Sequence, residues 1–332
     1  MAKPKVAFIG TGGTIASLGR GPLDLQDYGA IGNMMHAEEL VAKWPVVNQV
    51  ADVFPVKYRN IPSTAIDFSD WKALAALCLQ LQNDQPDLDG IVIGHGTATL
   101  EETAYFLNLT IKTTIPVVLV GSQRPSSALS SDAGMNLVNA IRVAASPEAR
   151  GMGVLALLND EIHAAREVTK TSTLRLQTFR TPDFGVLGHA DGDAVVFYRQ
   201  PVRRRAPDTE FDIATLDALP RVDIAYSYTG ADGTAVRAFA AAGAGGIVSA
   251  GFAPGFSTPD ESEALKQAVS EGIVVVQSTR AGSGRTFQTT RLKANGLLIA
   301  DNLNPQKARI LLALALTRTR DPDEIMRIFR TY

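Results

Sequence analysis

At 332 residues, with 45% hydrophobic and 20% charged side chains, the chain has an ordinary globular composition and more length than one typical core uses, so two domains are expected. A formal net charge of −2 gives no electrostatic basis for binding nucleic acid or an anionic membrane. A single cysteine, Cys78, excludes an intrachain disulfide, and its apolar neighbours Leu77 and Leu79 mark it as a small buried residue.

Met1-Ala2-Lys3-Pro4-Lys5 leads into an apolar run over 6–9 that is too short for a signal-peptide core. No uncharged stretch is long enough to cross a bilayer, and a cytoplasmic protein is expected. Further short apolar runs follow over 91–93, 117–120 and 154–158. They are partly β-branched and continuous rather than alternating, as in strands buried on both faces of a parallel sheet. Amphipathic stretches over 70–82, 100–109 and 135–145 alternate with them, which predicts an open α/β sheet. Thr99 with Glu102 has the form of a capping box, so a helix should open directly after Thr97. From 185 to 212 the pattern degrades, and the run Arg203-Arg204-Arg205 reads as a solvated linker. A second series of apolar runs, at 224–226, 246–248 and 273–276, alternates with helices over 235–242 and 261–270. Helices over 305–317 and 323–329 close the chain. The expected fold is therefore two α/β domains: a larger N-terminal one at 1–190 with a flavodoxin-like or Rossmann-like sheet, a linker at 191–212, and a smaller parallel-sheet domain at 213–332.

Two Thr-rich turns follow strand-like runs, one at 11–16 and one at 95–104. Gly10 and Gly12 have the spacing of a dinucleotide-binding turn. The third position, however, is Ile15 where close helix packing needs a small residue, and the segment 17–32 reads as a mobile loop. His36, His95, His163 and His189 lack i, i+4 spacing, so no metal site is expected, and His95 reads as a structural hydrogen-bonding residue. No G-x-S-x-G elbow is present, although spacing alone leaves a Ser-His-Asp triad open. Thr14 and Thr97 remain as candidate nucleophiles and Lys170 as a candidate base. Thr97 would lie at the carboxyl end of a strand beside a helix N-terminus, where ligands bind in open α/β sheets. Spacing alone does not separate Lys170 from an ordinary surface lysine.

Five segments resemble the bacterial L-asparaginase/glutaminase family: T-G-G-T-I-A at 11–16, H-G-T-x-T-x-E-E-T-A-Y-F-L at 95–107, P-V-V-L-V-G-S-Q-R-P at 116–125, R-E-V-T-K-T at 166–171 and L-N-P-Q-K-A-R at 303–309. The resemblance covers essentially the whole chain. It implies that Thr14 is the nucleophile of an acyl-enzyme amide hydrolysis and that Tyr28 is its partner on a mobile loop. It pairs Thr97 with Lys170 and places Ser63 on a substrate carboxylate. Gly13 and Gly96, or Thr97 itself, would then supply oxyanion donors. It further implies a homotetramer, built as a dimer of intimate dimers with sites completed between subunits, and no metal or organic cofactor.

The chain departs from the family where the family holds the substrate's amine. Ala98 stands for an aspartate, Thr64 for a glutamine, Phe256 for an asparagine and Thr289 for a glutamate. An ammonium without carboxylate partners is strongly disfavoured in a buried site. The expected substrate is therefore a small amide without a charged α-amine, a dicarboxylic acid monoamide being one form, and poor hydrolysis of L-asparagine is expected. A lactone, lactam, imide or ester substrate, or a silent ligand-binding protein, are the alternatives. Loss of the aspartate should also leave Lys170 less protonated, provided it is buried.

Overall fold

The computed structural model describes residues 2–332, in two compact units that divide between Ala214 and Thr215. In the first unit β1 (Lys5–Gly10), β2 (Asp52–Val56), β3 (Gly90–Gly94), β4 (Val117–Val120) and β5 (Val154–Leu158) form a parallel sheet in the order β2-β1-β3-β4-β5. Three antiparallel strands extend it beyond β5: β6 (Glu161–Ala164), then, past the small hairpin of β7 (Thr169–Lys170) and β8 (Phe179–Arg180), β9 (Gly188–Ala190) and β10 (Val195–Phe197). The parallel part has the flavodoxin-like order, in which the winding reverses between β1 and β3.

Five parallel-sheet residues, Val6, Phe8, Val92, Val118 and Leu155, share one core with Leu137, Ala140 and Ile141 of the helix Ala133–Ala145. On the other face Ala7, Ile9, Ile91 and Ile93 are equally buried, which is why these strands read as continuous apolar runs. The helices of the first unit are α1 (Tyr28–Ile31), α2 (Ala37–Lys43), α3 (Val47–Val50), α4 (Phe68–Asp84), α5 (Leu100–Thr110) and α6 (Ala133–Ala145). Trp71 of α4 stacks on Phe106 of α5 at 4.6 Å and donates its indole N–H to Thr103 Oγ1 at 2.9 Å. This pins the helix that begins at the second Thr-rich turn. Cys78 of α4 is buried, and burial pushes its thiol up to about 12.

Three expectations need correction. The segment 191–212 is part of the first unit rather than a linker: β10 forms the sheet's outer edge, and Arg205 is half-buried, donating to the carbonyls of Gly151 and Pro201 at 2.8 Å each. The arginine run is thus only partly solvated. Helix α5 begins at Leu100 as expected, but Thr99 caps nothing with its side chain; its hydroxyl donates instead to the Ser63 carbonyl at 2.8 Å. A tertiary hydrogen bond stands in place of the local cap. Tyr28 also opens a short helix within the segment read as a loop.

The second unit is a four-stranded parallel sheet in chain order: β11 (Val222–Tyr226), β12 (Gly246–Gly251), β13 (Val274–Thr279) and β14 (Leu298–Ile299). Its helices are α7 (Thr234–Ala241), α8 (Pro259–Ser270), α9 (Thr290–Ala294), α10 (Pro305–Leu316) and α11 (Pro322–Thr331). Here a capping box does form, between Thr258 and Glu261 at the start of α8. Ile247 and Val275 pack with Val236 and Leu265 in this unit's core.

Candidate active site

The site is built where the winding of the first sheet reverses. β1 and β3 lie side by side and end level, with Gly10 opposite Gly94. Thr11 then ties the two ends together: its backbone N–H and its hydroxyl each donate to the Gly94 carbonyl at 2.9 Å, and its own carbonyl accepts from Ile61 N–H at 2.9 Å. The chain turns through Gly12 and Gly13, both in the left-handed region at φ +99° and +81°. A Cβ at Gly13 would run into the Gly96 backbone, and one at Gly96 would stand 2.6 Å from Ser63 Oγ. Loops following β1, β2 and β3 therefore meet backbone to backbone. After Gly13 comes one 3-10 turn, Thr14–Ala16, so no α-helix begins there to receive a pyrophosphate.

A hydroxyl–hydroxyl pair and an amine–hydroxyl pair face this junction. Thr14 Oγ1 lies 3.0 Å from Tyr28 OH, the residue that opens α1. The segment carrying Tyr28 is held by Gly19 N–H on Ser127 Oγ at 2.7 Å and by Leu129 N–H on the Pro22 carbonyl at 2.8 Å. Within it Asp24 accepts from the N–H groups of Arg20 and Asp27 at 3.0 Å each. The first of these contacts holds its carboxyl below the ordinary range.

In the second pair Lys170 Nζ donates to Thr97 Oγ1 at 2.8 Å. Thr97 is buried between the end of β3 and the start of α5, while Lys170 comes from β7, 73 residues away along the chain. Half-burial lowers the lysine's proton affinity, and the carboxylate of Glu101 opposes that shift. Glu101 Oε1 also accepts the backbone N–H of Lys170 at 3.4 Å. His95 is fully buried, with Nδ1 2.7 Å from the Gly96 carbonyl; burial drives its pKa down to about 4, so its ring is neutral at physiological pH. It shapes the turn and stays out of the opening.

A cleft of about 310 Å³ brings together Thr14, Tyr28, Thr97 and Lys170 with Gly13, Ser63, Thr64, Gly96 and Ala98. Its remaining lining includes Ser17, Met34 and Pro62, which sequence reasoning did not single out and for which no local signal exists. Glu101 was visible only as part of the E-E pair of the second turn. Phe256 lies in the second unit and is not in the cleft lining; it is partly exposed, with the Arg291 guanidinium 5.9 Å from its ring. Thr289 caps α9, accepting from Leu292 N–H at 3.2 Å. Among the described residues, no group of three or more His, Cys, Asp or Glu side chains is placed to hold a metal ion. No helix of the described residues is long and apolar enough to cross a membrane.

Residues 5–203 match the family description "Asparaginase, N-terminal" and residues 221–329 match "Glutaminase/Asparaginase C-terminal domain". The chain belongs to the asparaginase family. This is a family of amidohydrolases acting on carbon–nitrogen bonds other than peptide bonds. L-asparaginase 2 of Bacillus subtilis is 42% identical over 331 residues, which cover 99% of this chain and 87% of that protein. Glutaminase-asparaginase of Pseudomonas fluorescens is 40% identical, covering 98% of this chain and 90% of its own length. The crystal structure of a probable cytoplasmic L-asparaginase from Campylobacter jejuni superimposes with a TM-score of 0.94 at 39% identity, covering 99% of this chain and all of that one. In this asparaginase-family chain, Ala98 is exposed on the cleft and Thr64 stands beside Ser63 on its rim.

Proposed function

We propose that this asparaginase-family chain hydrolyses a small amide that lacks a charged α-amine, through an acyl-enzyme on Thr14. One observation carries the substrate class. Among the described residues lining the cleft, no carboxylate is present. A substrate ammonium would meet no counter-ion, whereas a carboxylate would meet the Ser63 hydroxyl. A dicarboxylic acid monoamide satisfies both conditions.

In this mechanism the Thr14 hydroxyl adds to the amide carbonyl, its proton passing toward Tyr28. Backbone N–H groups of the Gly13 and Gly96 turns face the developing oxyanion. The carbon–nitrogen bond then breaks, the nitrogen leaves as ammonia after gaining a proton, and an ester remains on Thr14. Water adds to the ester with the Thr97–Lys170 pair as proton acceptor, releasing the acid and restoring the hydroxyl. The absence of a carboxylate at position 98 leaves Lys170 more readily unprotonated at neutral pH, since half-burial already lowers its proton affinity. A homotetramer with Phe256 of the partner subunit facing Ala98, and a cytoplasmic location, complete the proposal.

Ammonia release from succinic acid monoamide, measured beside L-asparagine, tests the substrate class. Turnover of the monoamide at a kcat/KM at least about 10-fold above that of asparagine is expected, and the reverse preference overturns the amine argument. Hydrolysis of cyclic substrates or esters without ammonia would assign the same machinery to a different bond. Binding without any turnover would assign a silent binder. Mass spectrometry of the quenched enzyme should find the acyl group on the peptide containing Thr14, and Thr14→Ala should lose activity by roughly 10⁴-fold or more. An unchanged rate in that variant would remove Thr14 from the chemistry.

A further inference from the structure

Glu101 is a buried carboxylate that the proposed reaction does not use. It occupies the first turn of α5, four residues after Thr97 and three after Ala98, and its Oε1 accepts the backbone N–H of Lys170 at 3.4 Å. Lys170 in turn spends its side chain on Thr97 Oγ1 at 2.8 Å. A closed arrangement results: Thr97 and Glu101 leave the same chain segment, and both end on Lys170, one at the amine and one at the backbone. The strand bearing Lys170 is only two residues long, paired through Lys170 opposite Phe179 on β8. So short a strand has little of its own to fix where the amine stands.

We infer that Glu101 is a positioning residue for Lys170: it anchors the β7 backbone against α5 and supplies the one negative charge that acts on the amine in a cleft where Ala98 supplies none. The inference rests on the proposed role of Lys170 as proton acceptor. From the loop after β3 the amine faces Thr97; Tyr28, from the segment before α2, lines the same cleft; from α5 it feels Glu101. Among these, Glu101 alone is charged. Half-burial and the carboxylate pull the lysine's proton affinity in opposite directions, burial being the larger effect. Without Glu101 burial acts unopposed, and the lysine binds its proton still less tightly. Glu101 thus limits how weak a base Lys170 becomes. A purely structural glutamate would hold the hairpin without moving the titration of Lys170.

The experiment is the pH dependence of Lys170 acetylation by acetic anhydride, read peptide by peptide by mass spectrometry in the full-length protein, with exposed Lys266 as internal reference. Glu101→Gln keeps an acceptor for the Lys170 N–H and removes the charge. Its Lys170 midpoint should fall by roughly one pH unit relative to wild type, with Lys266 unmoved. The acid limb of kcat/KM for the turned-over amide should move to lower pH by the same amount. Glu101→Asp, which keeps the charge one methylene farther back, should lie between the two. A Lys170 midpoint in Glu101→Gln equal to that of wild type overturns the inference; should that variant not fold, a wild-type midpoint in Glu101→Asp does so. Acetylation needs no substrate, so it reads Glu101 even if no amide is hydrolysed. A wild type that turns over no amide defeats the proposed function instead.

Discussion

Position 95 shows how one buried ring links fold and pH. His95 is fully buried with its pKa drawn down to about 4, against an ordinary value of 6.5, because the imidazolium would be desolvated. The folded state therefore binds this proton less readily than the unfolded chain. Between about pH 6.5 and pH 4 the unfolded state gains protons first, and stability falls as pH falls. Above that window the contribution is level. The full loss corresponds to roughly 3 kcal/mol. Urea unfolding across this range should show a shallower acid loss in His95→Asn than in wild type. Parallel pH curves for the two proteins would show that His95 is not protonated on unfolding. At the same scale, Ala98 adds no carboxylate to the cleft lining, and in the proposed reading a substrate amine finds no counter-ion there. Glu101 is left as the charge that acts on that lysine.

At the scale of elements, the two Thr-rich turns work as one device because glycine lets them touch. Gly13 combines a positive φ of 81° with a Cα facing the Gly96 backbone, so a methyl group there is both strained and obstructed. Gly13→Ala should destabilise the protein by about 2 kcal/mol or more and lower turnover further still, as Thr14 and Thr97 move apart. Thermal unfolding together with kcat measures both. A variant of wild-type Tm and activity would mean that the loops yield easily. These turns were legible in the sequence because each directly follows a strand buried on both faces, whose apolar run marks its own end. β2 was not legible: it carries Pro55 and is only partly buried, both permissible on an edge strand that hydrogen-bonds on one side. β6, β9 and β10 were missed because three- or four-residue antiparallel strands hold too few side chains to show a period. Thr99 misled for a different reason. Its spacing to Glu102 suits a cap, but the Ser63 carbonyl, 36 residues earlier, takes its hydroxyl.

For the whole molecule, the expected assembly is the feature with most functional weight. The cleft is lined by the first unit and Phe256 belongs to the second; in the proposed assembly another copy of the chain brings Phe256 to the substrate. Native mass spectrometry should find a tetramer of 35.4 kDa chains, and specific activity should fall on dilution into dissociation. A fully active monomer would remove Phe256 from the site. The sequence by itself determined the α/β class, the placing of the two turns at strand ends, the family, and the uncharged side chains at positions 98 and 289. All of these are written in local runs and motifs whose physical cause lies within a few residues. Only the tertiary structure decided the distance from Lys170 to Thr97, whose pairing the resemblance implied, that Glu101 stands behind Lys170, and that residues 191–212 complete the first unit. Each of those depends on packing between segments far apart in the chain, and a contact of that kind leaves no period, spacing or composition from which it could be read.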